Sequence, residues 1–322
     1  MKRLGALVVL ALMALMSPSF AWAQQYPTRP IRLIVPAAPG GGTDITARSF
    51  VPQLAENLGQ PIVIENRGGA GGVIGTENVA KATPDGYTLL MVYVSHATNP
   101  TLVRKLPYDT LADFVPITLI SHEPTVLVTH PSHPAKTLAE FTAWVKERSG
   151  NLSYATDPGS AGFLAAELYL QRVGAKVQYI PYKGSGPAAA DVVANHVPYM
   201  WSVISIVTPY AKAGRLKPLA TAAEKRAPAL PDVPTAAEAG LPDFAVSGWY
   251  ALVAPAKTPR AIVERVHAEA AKALKSDAVV QRLANSGSLP IGAGPAETDK
   301  HIRTEIARWN KVLTEAGVQP TN

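Results

Sequence analysis

Short β-branched runs alternate with alanine-rich helical stretches along most of the chain, and this alternation limits the fold more than any other feature. A strand at 31–35 leads into a helix at about 44–58, and a strand at 61–65 leads into a helix that runs towards residue 82. A third strand follows at 88–94. Such alternation is typical of proteins in which helices cover the faces of a sheet. The sequence therefore predicts an α/β fold.

The pattern continues through the middle of the chain and returns to a strand near its end. A strand-like region at 116–130 opens a new unit, and the run WYALVAP at 249–255 is again a strand. Two amphipathic helices follow it, near 259–276 and 295–316. Between these regions we predict helices at 138–148, 162–174 and 188–197, strands at 152–156 and 177–181, and further strands in YMWSVIS and LKPLATAA.

This return to a strand predicts two domains, one of them built from both ends of the chain. A mature chain of about 300 residues suits two cores rather than one. The first domain is predicted at 24–125 and 248–322, and the second, inserted domain at 126–247. Two crossings between the domains form a hinge, and ligands favour the cleft beside it.

The first residues have the features of a cleaved signal peptide. Lys2 and Arg3 precede an apolar run at 4–16, and Ala21-Trp22-Ala23 is a small-x-small cleavage site. We therefore predict that residues 1–23 are removed and that the protein is exported to the periplasm; an uncleaved amphipathic anchor is the alternative. The chain has no cysteine, which excludes thiol catalysis and disulfides and suits an oxidising compartment.

The charge pattern indicates the kind of partner. The net charge is +6, or +4 without Lys2 and Arg3, and the basic residues never form a block. A nucleic-acid partner is therefore not expected. The excess of basic over acidic residues would mildly favour binding of a small anion, although ordinary solvated surface charge explains this excess equally well.

Three glycine-containing loops, each between a strand and a helix, predict an anion site. They are VPAAPGGGTD at 35–44, YATDPGSAGF at 154–163 and YIPYKGSGPAA at 179–189. Glycines leave backbone amides uncovered, and the free N–H groups and dipole of a helix N-terminus attract anions. We expect Thr43 or Asp44 to cap the first helix. Each loop alone is equally a tight turn without a ligand, but three in one chain favour binding.

The same loops lack the features of a nucleotide site. Thr43 and Asp44 follow the first glycines, so the lysine of a Walker loop is missing. Ile74 stands where the third glycine of a dinucleotide fingerprint belongs. A carboxylate, which needs only a few amides and waters, fits better.

The chain shows no recognisable catalytic constellation, cofactor motif or metal site. Ser160 and Ser185 lack the flanking glycines of a nucleophile elbow, and no carboxylate stands at ligand spacing to His130 and His133. Pairs of Asp157 or Asp191 with Lys183 remain open as acid–base partners. Binding without chemistry is the simpler interpretation.

Many segments, in order, resemble the Bug-type substrate-binding proteins of tripartite tricarboxylate transporters. They are YPTRPIRLIVP, GGGTDITAR, LGQPIVIENRGGAGGVIG, ATPDGYTLLM, LPYDTLADF, YKGSGPA, AKAGRLKPLA, LPDVPTAAEAGLPDF and WYALVAPAKTP. The resemblance implies two hinged α/β domains that close on a carboxylate like a Venus flytrap, resembling the type II periplasmic binding proteins. It also implies that backbone amides and ordered waters hold the ligand.

The resemblance assigns a site in both domains. Carried over by position, the first loop falls on Ala37, Ala38, Gly40, Gly41, Gly42 and Asp44, and Ser95 borders the pocket. In the second domain the anion loop falls on Gly159, Ser160 and Ala161, and the YKG motif on Tyr182, Lys183 and Gly184.

Departures from the family pattern suggest the ligand. Ala37 stands where phenylalanine is common, Phe163 where histidine is common, and Trp201-Ser202 where Phe-Asp is usual. Without that aspartate an ammonium loses its obvious partner, and Phe163 and Trp201 offer stackable apolar surface. We therefore predict an apolar or aromatic mono- or dicarboxylate. Alternatively, Trp201 is a core anchor and a neighbour refills the space at Ala37.

The resulting functional prediction is a monomeric periplasmic receptor without enzymatic activity. It would deliver an organic carboxylate to the membrane subunits of a tripartite tricarboxylate transporter. The alternatives are a secreted lyase or hydrolase that uses Lys183 or Asp157, and a ligand-sensing partner of a membrane histidine kinase.

Overall fold

The computed structural model describes residues 26–315 and 317–320, so the predicted signal peptide lies outside the described residues. The strands are β1 (Ile31–Val35), β2 (Ile62–Asn66), β3 (Thr88–Tyr93), β4 (Phe114–Thr129), β5 (Ser153–Thr156), β6 (Gln178–Pro181), β7 (Tyr199–Val203), β8 (Lys217–Thr221), β9 (Ser247–Pro255) and β10 (Leu289–Ala293). The helices are α1 (Gly42–Leu58), α2 (Val73–Ala80), α3 (Ser95–Leu102), α4 (Leu138–Glu147), α5 (Ala161–Val173), α6 (Ser185–Val193), α7 (Ile204–Lys212), α8 (Arg260–Leu274), α9 (Asp277–Ser286) and α10 (Pro295–Glu315).

The larger sheet is mixed and has the strand order β10-β4-β9-β3-β1-β2. β1 is parallel to both β2 and β3, as expected for strands joined through crossover helices. β9 enters antiparallel between β3 and β4, and β10 closes the edge beside β4. The two ends of the chain therefore complete one sheet.

β4 extends beyond this sheet and changes its partners along its length. Up to Pro124 it pairs with β9, whereas from Thr125 onwards it lies between β7 and β8. The amide of Thr125 donates to the carbonyl of Val246, 3.1 Å away, at the second crossing. We call described residues 26–124 and 247–320 the first lobe and 125–246 the second lobe. The predicted domain boundaries stay a proposal, which this change of partners supports.

Amphipathic helices cover both faces of the first-lobe sheet. α8 buries Val263, Val266, Ala270 and Ala273, whose spacing of three and four residues places them on one helix face. They share a core with residues of α1 and of the sheet. On the other face α10 packs against α3 and β4. There the Nε1 groups of Trp249 and Trp309 both donate to Glu305 Oε2 at 2.9 Å, which ties α10 to β9.

Several elements differ from the sequence prediction. The predicted strand YMWSVIS ends at Val203, and its last residues already belong to α7. α3, α9 and β10 were not predicted. α3 contains Pro100, which disfavours a helix interior, and β10 is an edge strand with exposed Leu289 and Ile291. Tertiary packing decides these elements more than local pattern does. Among the described residues, no helix combines the length and the apolarity needed to cross a bilayer.

Candidate ligand-binding site

A cavity lies between the two lobes, and three helix N-termini open into it. In this closed form its free volume is about 20 Å³, which is room for about one water molecule, so an organic acid requires the lobes to stand further apart. The walls come from the starts of α1, α5 and α6 and from residues at or next to the ends of β3, β5, β7 and β9. The lining residues are Ala37, Gly41, Gly42, Thr43, Tyr93, Val94, Asp157, Ser160, Ala161, Gly162, Ser185, Val203, Gly248, Trp249 and Tyr250.

The N-terminus of α1 presents bare backbone to this cavity. Gly41 is the N-cap residue, and no side chain caps the helix. The prediction that Thr43 or Asp44 caps α1 is therefore wrong, because both already lie inside its first turn. No acceptor among the described residues pairs with the amides of Gly42 and Thr43. These amides are available to an anion.

Asp44 is held by basic and polar groups on the outer side of the loop. It accepts hydrogen bonds from Arg48 Nε and from the Gly40 amide, each at 3.0 Å, and from Asn66 Nδ2. Burial opposes ionisation, but these hydrogen bonds outweigh it and lower the pKa of Asp44. Asp44 therefore shapes the loop and keeps its charge paired.

The N-terminus of α5 is capped by a side chain and still leaves two amides free. Ser160 Oγ accepts from the Phe163 amide at 3.2 Å. Within the part of the chain that the structure describes, the amides of Ala161 and Gly162 have no acceptor. A methyl group at Gly162 would collide with the carbonyl of Trp201, so the helix start lies close against β7.

α6 brings the third N-terminus to the cavity and touches the first-lobe loop. No side chain caps it, and Ser185 lies in the cavity wall. A methyl group added at Gly186 would lie 3.0 Å from the carbonyl carbon of Gly40. The two lobes are therefore closed on each other in this structure.

These three helix ends place partial positive charges around the cavity. Each N-terminus carries roughly half a positive elementary charge. None of the described residues lining the cavity has a basic side chain. An anion held here is bound by backbone amides and dipoles, with serine and threonine hydroxyls beside them.

A buried acid from the second lobe meets a tyrosine from the first lobe in the cavity wall. Tyr93 Oη donates to Asp157 Oδ2 at 3.2 Å. Both residues are buried, at 6 % and 5 % exposure. Burial raises the pKa of Asp157 to about 7 and the pKa of Tyr93 well above its usual value.

A second buried acid, Glu123, lies beneath the cavity where β4 crosses between the lobes. It accepts hydrogen bonds from Tyr250 Oη, from the Ser205 amide at 3.1 Å and from Ser288 Oγ at 3.2 Å. Burial raises its pKa, although all these donors favour the ionised form. Since Ser205 belongs to the second lobe, Glu123 ties the two lobes together.

The structure brings part of the predicted site into this cavity. Five predicted residues line it: Ala37, Gly41, Gly42, Ser160 and Ala161. Ala38, Gly40 and Gly184 lie where the lobes touch, since a methyl group at Gly184 would meet Ala38 at 3.1 Å. Ser95 is buried one residue beyond Val94, and Gly159 accepts from Thr98 Oγ1 of the first lobe at 2.9 Å.

Other predicted residues lie elsewhere in this closed arrangement. Tyr182 and Lys183 line a separate groove together with Gly71, Asn99 and Pro158. Phe163 packs edge-to-face on Tyr179 with ring centroids 5.5 Å apart, and Trp201 packs against Tyr169 and Phe244. Ser202 is buried in β7. The apolar wall of the cavity consists instead of Val94, Val203 and Tyr250, whereas the Trp249 ring packs on His301 of α10. The binding role of every residue named here stays a proposal.

Two lobes joined by β4 and by a second crossing at residues 246–247, with a cavity between them, have the architecture of a two-domain periplasmic binding protein. The comparisons specify the family. Residues 46–318 match the model described as "Tripartite tricarboxylate transporter family receptor". Protein BugT of Bordetella pertussis is 41% identical over 300 residues, which cover 92% of this chain and 92% of BugT. The chain therefore belongs to the tripartite tricarboxylate transporter receptor family, and the family prediction is confirmed.

Solved structures agree with this assignment and confirm the predicted fold class. The periplasmic binding protein BugD has a TM-score of 0.89 and 32% identity, over 92% of this chain and all of BugD. Rpa4515 of R. palustris, solved with adipate, has a TM-score of 0.89 and 36% identity, over 92% of this chain and 100% of that one. Both likenesses extend over two lobes and the cleft, so the whole architecture is shared.

Proposed function

We propose that the protein is a monomeric periplasmic receptor that captures a small organic carboxylate between its lobes and delivers it to the membrane subunits of a tripartite tricarboxylate transporter. One observation carries the proposal: three helix N-termini with free amides meet in a cavity whose described lining has no basic side chain. The adipate in Rpa4515 supports a carboxylate as the ligand, and the periplasmic setting of BugD supports the location.

The ligand we propose is an apolar or aromatic mono- or dicarboxylate. Its carboxylate would face the amides of Gly42, Ala161 and Gly162, which no described protein group occupies. The rest of the molecule would lie against Val94, Val203 and Tyr250. The Tyr250 ring would add offset or edge-to-face contacts to the burial of apolar area. This wall replaces Phe163 and Trp201 as the basis for an apolar ligand.

Closure of the lobes is the mechanism of capture. Each lobe supplies part of the cavity, α1 from the first and α5 and α6 from the second. A ligand between them gains contacts in the closed form that the open form lacks, so it shifts the population towards closure. The membrane subunits would then recognise the closed form. No step requires a bond in the ligand to change.

Thermal melting with a panel of acids tests the proposal. Benzoate, adipate and malate are compared with alanine, a zwitterion whose side chain offers the apolar wall only one methyl group. A bound acid at 100 times its Kd stabilises the folded protein by about 2.7 kcal/mol, which raises Tm by several degrees. We expect benzoate or adipate to raise Tm most and to be recovered unchanged. A flat response to every acid, or consumption of the acid, would contradict the proposal.

A further inference from the structure

The cavity contains one acidic side chain although it attracts anions. Asp157 lies between β5 and α5, and it is the only described lining residue that can carry a formal charge near neutral pH. It has no basic partner among the described ion pairs. An ionised aspartate would therefore share a closed, poorly solvated cavity with the carboxylate of the ligand, and two like charges that close repel each other strongly.

The hydrogen bond from Tyr93 to Asp157 joins the two lobes across the cavity. Because the two residues belong to different lobes, this bond depends on closure. Tyr93 donates, so it leaves Asp157 with acceptor capacity and, when Asp157 is protonated, with one O–H that can still be donated. A neutral carboxylic acid beside a carboxylate makes a short charge-assisted hydrogen bond instead of a repulsion.

Resting on the proposed function, we propose that Asp157 is a specificity-determining residue through which closure on a carboxylate takes up one proton. The proton comes from solvent and resides on Asp157, which donates it as a hydrogen bond to the ligand carboxylate. The closed, filled receptor thus holds one more proton than the open one. An ammonium at this position cannot accept that hydrogen bond and would favour the ionised form of Asp157 instead, without proton uptake.

The surroundings of Asp157 restrict where this proton can reside. Tyr93 on β3 and Tyr250 on β9 face it, and burial holds the pKa of each well above neutrality, so both stay protonated throughout. The polar side chains that line the cavity at the starts of α5 and α6 are Ser160 and Ser185, which do not titrate. Glu123 lies behind Tyr250 and also has a raised pKa. It is therefore the competing site, and the experiment has to separate it from Asp157.

The sign of the pH dependence follows from the two states of Asp157. In an open, hydrated cleft its pKa is near the ordinary value of about 4, whereas burial in the closed form raises the pKa to about 7. Affinity for a carboxylate is therefore greatest at low pH and falls as pH rises between these two values. The slope approaches tenfold for each pH unit. Above the pKa of the closed form the affinity levels off.

Calorimetric titration of benzoate and adipate in two buffers of different ionisation heat measures the proton uptake directly. At about pH 6.5 we expect about 0.5 to 1 proton taken up per ligand by the natural protein. Asp157→Asn keeps the size and a donor but cannot titrate, so it should bind with no uptake and with an affinity independent of pH. Glu123→Gln is the matched control and should retain the uptake, whatever its effect on affinity.

The outcomes separate this inference from the function on which it rests. Binding of an acid without proton uptake, an affinity that rises with pH, or uptake lost in Glu123→Gln but kept in Asp157→Asn would each overturn the role of Asp157 and leave the receptor function intact. Failure of both acids to bind the natural protein would overturn the proposed ligand class instead. The measurement on the natural protein stands even if a variant fails to fold.

Discussion

The first-lobe loop before α1 and the second-lobe loop before α5 both lead from a strand into a helix whose first amides are free. They differ in the capping of the helix and in the partners of the nearby acid. α1 starts from Gly41 without a side-chain cap, and its nearby acid, Asp44, is paired with Arg48. α5 is capped by Ser160, and its nearby acid, Asp157, faces the cavity without a basic partner. If both loops bind the ligand as proposed, the charge at the first loop is independent of pH near neutrality, whereas the charge at the second depends on the protonation of Asp157.

The largest effect is expected at Gly42, which has no room for a side chain. A methyl group there would collide with Tyr250 Oη and would lie 2.8 Å from Val203 Cγ2 in the opposite lobe. Gly42→Ala should therefore weaken carboxylate binding about 100-fold, because Val203 would oppose closure, and it should also destabilise the protein without ligand, because Tyr250 belongs to the same lobe as Gly42. Titration of the best-binding acid measures the first effect and thermal melting the second. Unchanged affinity would show that the lobes need not approach this closely.

Gly162 is the matched position in the second lobe, and there we expect a loss of stability. Its added methyl group would meet the carbonyl of Trp201, which belongs to the same lobe and cannot rotate away. Gly162→Ala should lower the free energy of unfolding by about 1–3 kcal/mol. Urea denaturation without ligand checks this. An unchanged urea midpoint in Gly162→Ala would contradict the expectation that Gly162 is needed for stability.

Ala161→Pro removes one free amide from the second-lobe site without breaking α5. Proline is favoured at the first helical position, and Ser160 before it is already extended, with φ −73° and ψ 167°. If the amide donates to the ligand, affinity should fall about tenfold, the value of one hydrogen bond to a charged group. Asp277→Pro at the exposed start of α9 is the control, and it should bind normally. Equal affinities of the two variants would show that the Ala161 amide does not bind the ligand.

The smallest effect is expected at the ion pair between Arg48 and Asp44, the acid of the first-lobe loop. Arg48→Met removes the ion pair with Asp44, and because the Arg48 side chain is 57% exposed, the loss of stability should be below about 1 kcal/mol. Since the hydrogen bonds lower the pKa of Asp44, their contribution is present above the unfolded-state pKa and is lost as pH falls. The variant should therefore unfold at a slightly higher pH in an acid titration. An unchanged pH midpoint of acid unfolding would show that the hydrogen bonds from Gly40 and Asn66 are enough to keep the pKa of Asp44 low.

Local patterns predicted the fold and the polar half of the site. In residues 35–44 and 154–163 a strand, a glycine-containing loop and a helix start follow one another directly. Because this pattern is local, α1 and α5 and their place in the cavity wall could be expected from the sequence alone. The sequence also predicted that the strand near residue 250 returns to the first domain, and the position of β9 in the larger sheet supports this. Element type and order are set by hydrophobic periodicity, which a single chain displays directly.

The apolar half of the site could not be predicted in this way. Trp201 lies within β7 and is covered by Tyr169 and Phe244, whereas the last residue of that strand, Val203, reaches the cavity. Tyr93 and Tyr250 meet the site because β3 and β9 pair over a long separation in sequence. Where along a strand a cleft begins depends on such pairing, which periodicity does not reveal.

The path of β4 and β9 has a consequence for the order in which the protein folds as the exported chain emerges from the membrane. β9 lies between β3 and β4, so the larger sheet has a gap until residue 255 has emerged. β7 and β8 join the far end of β4 as soon as residue 221 has emerged. The second lobe can thus fold before the first lobe is complete, and β9 then completes the larger sheet of the first lobe.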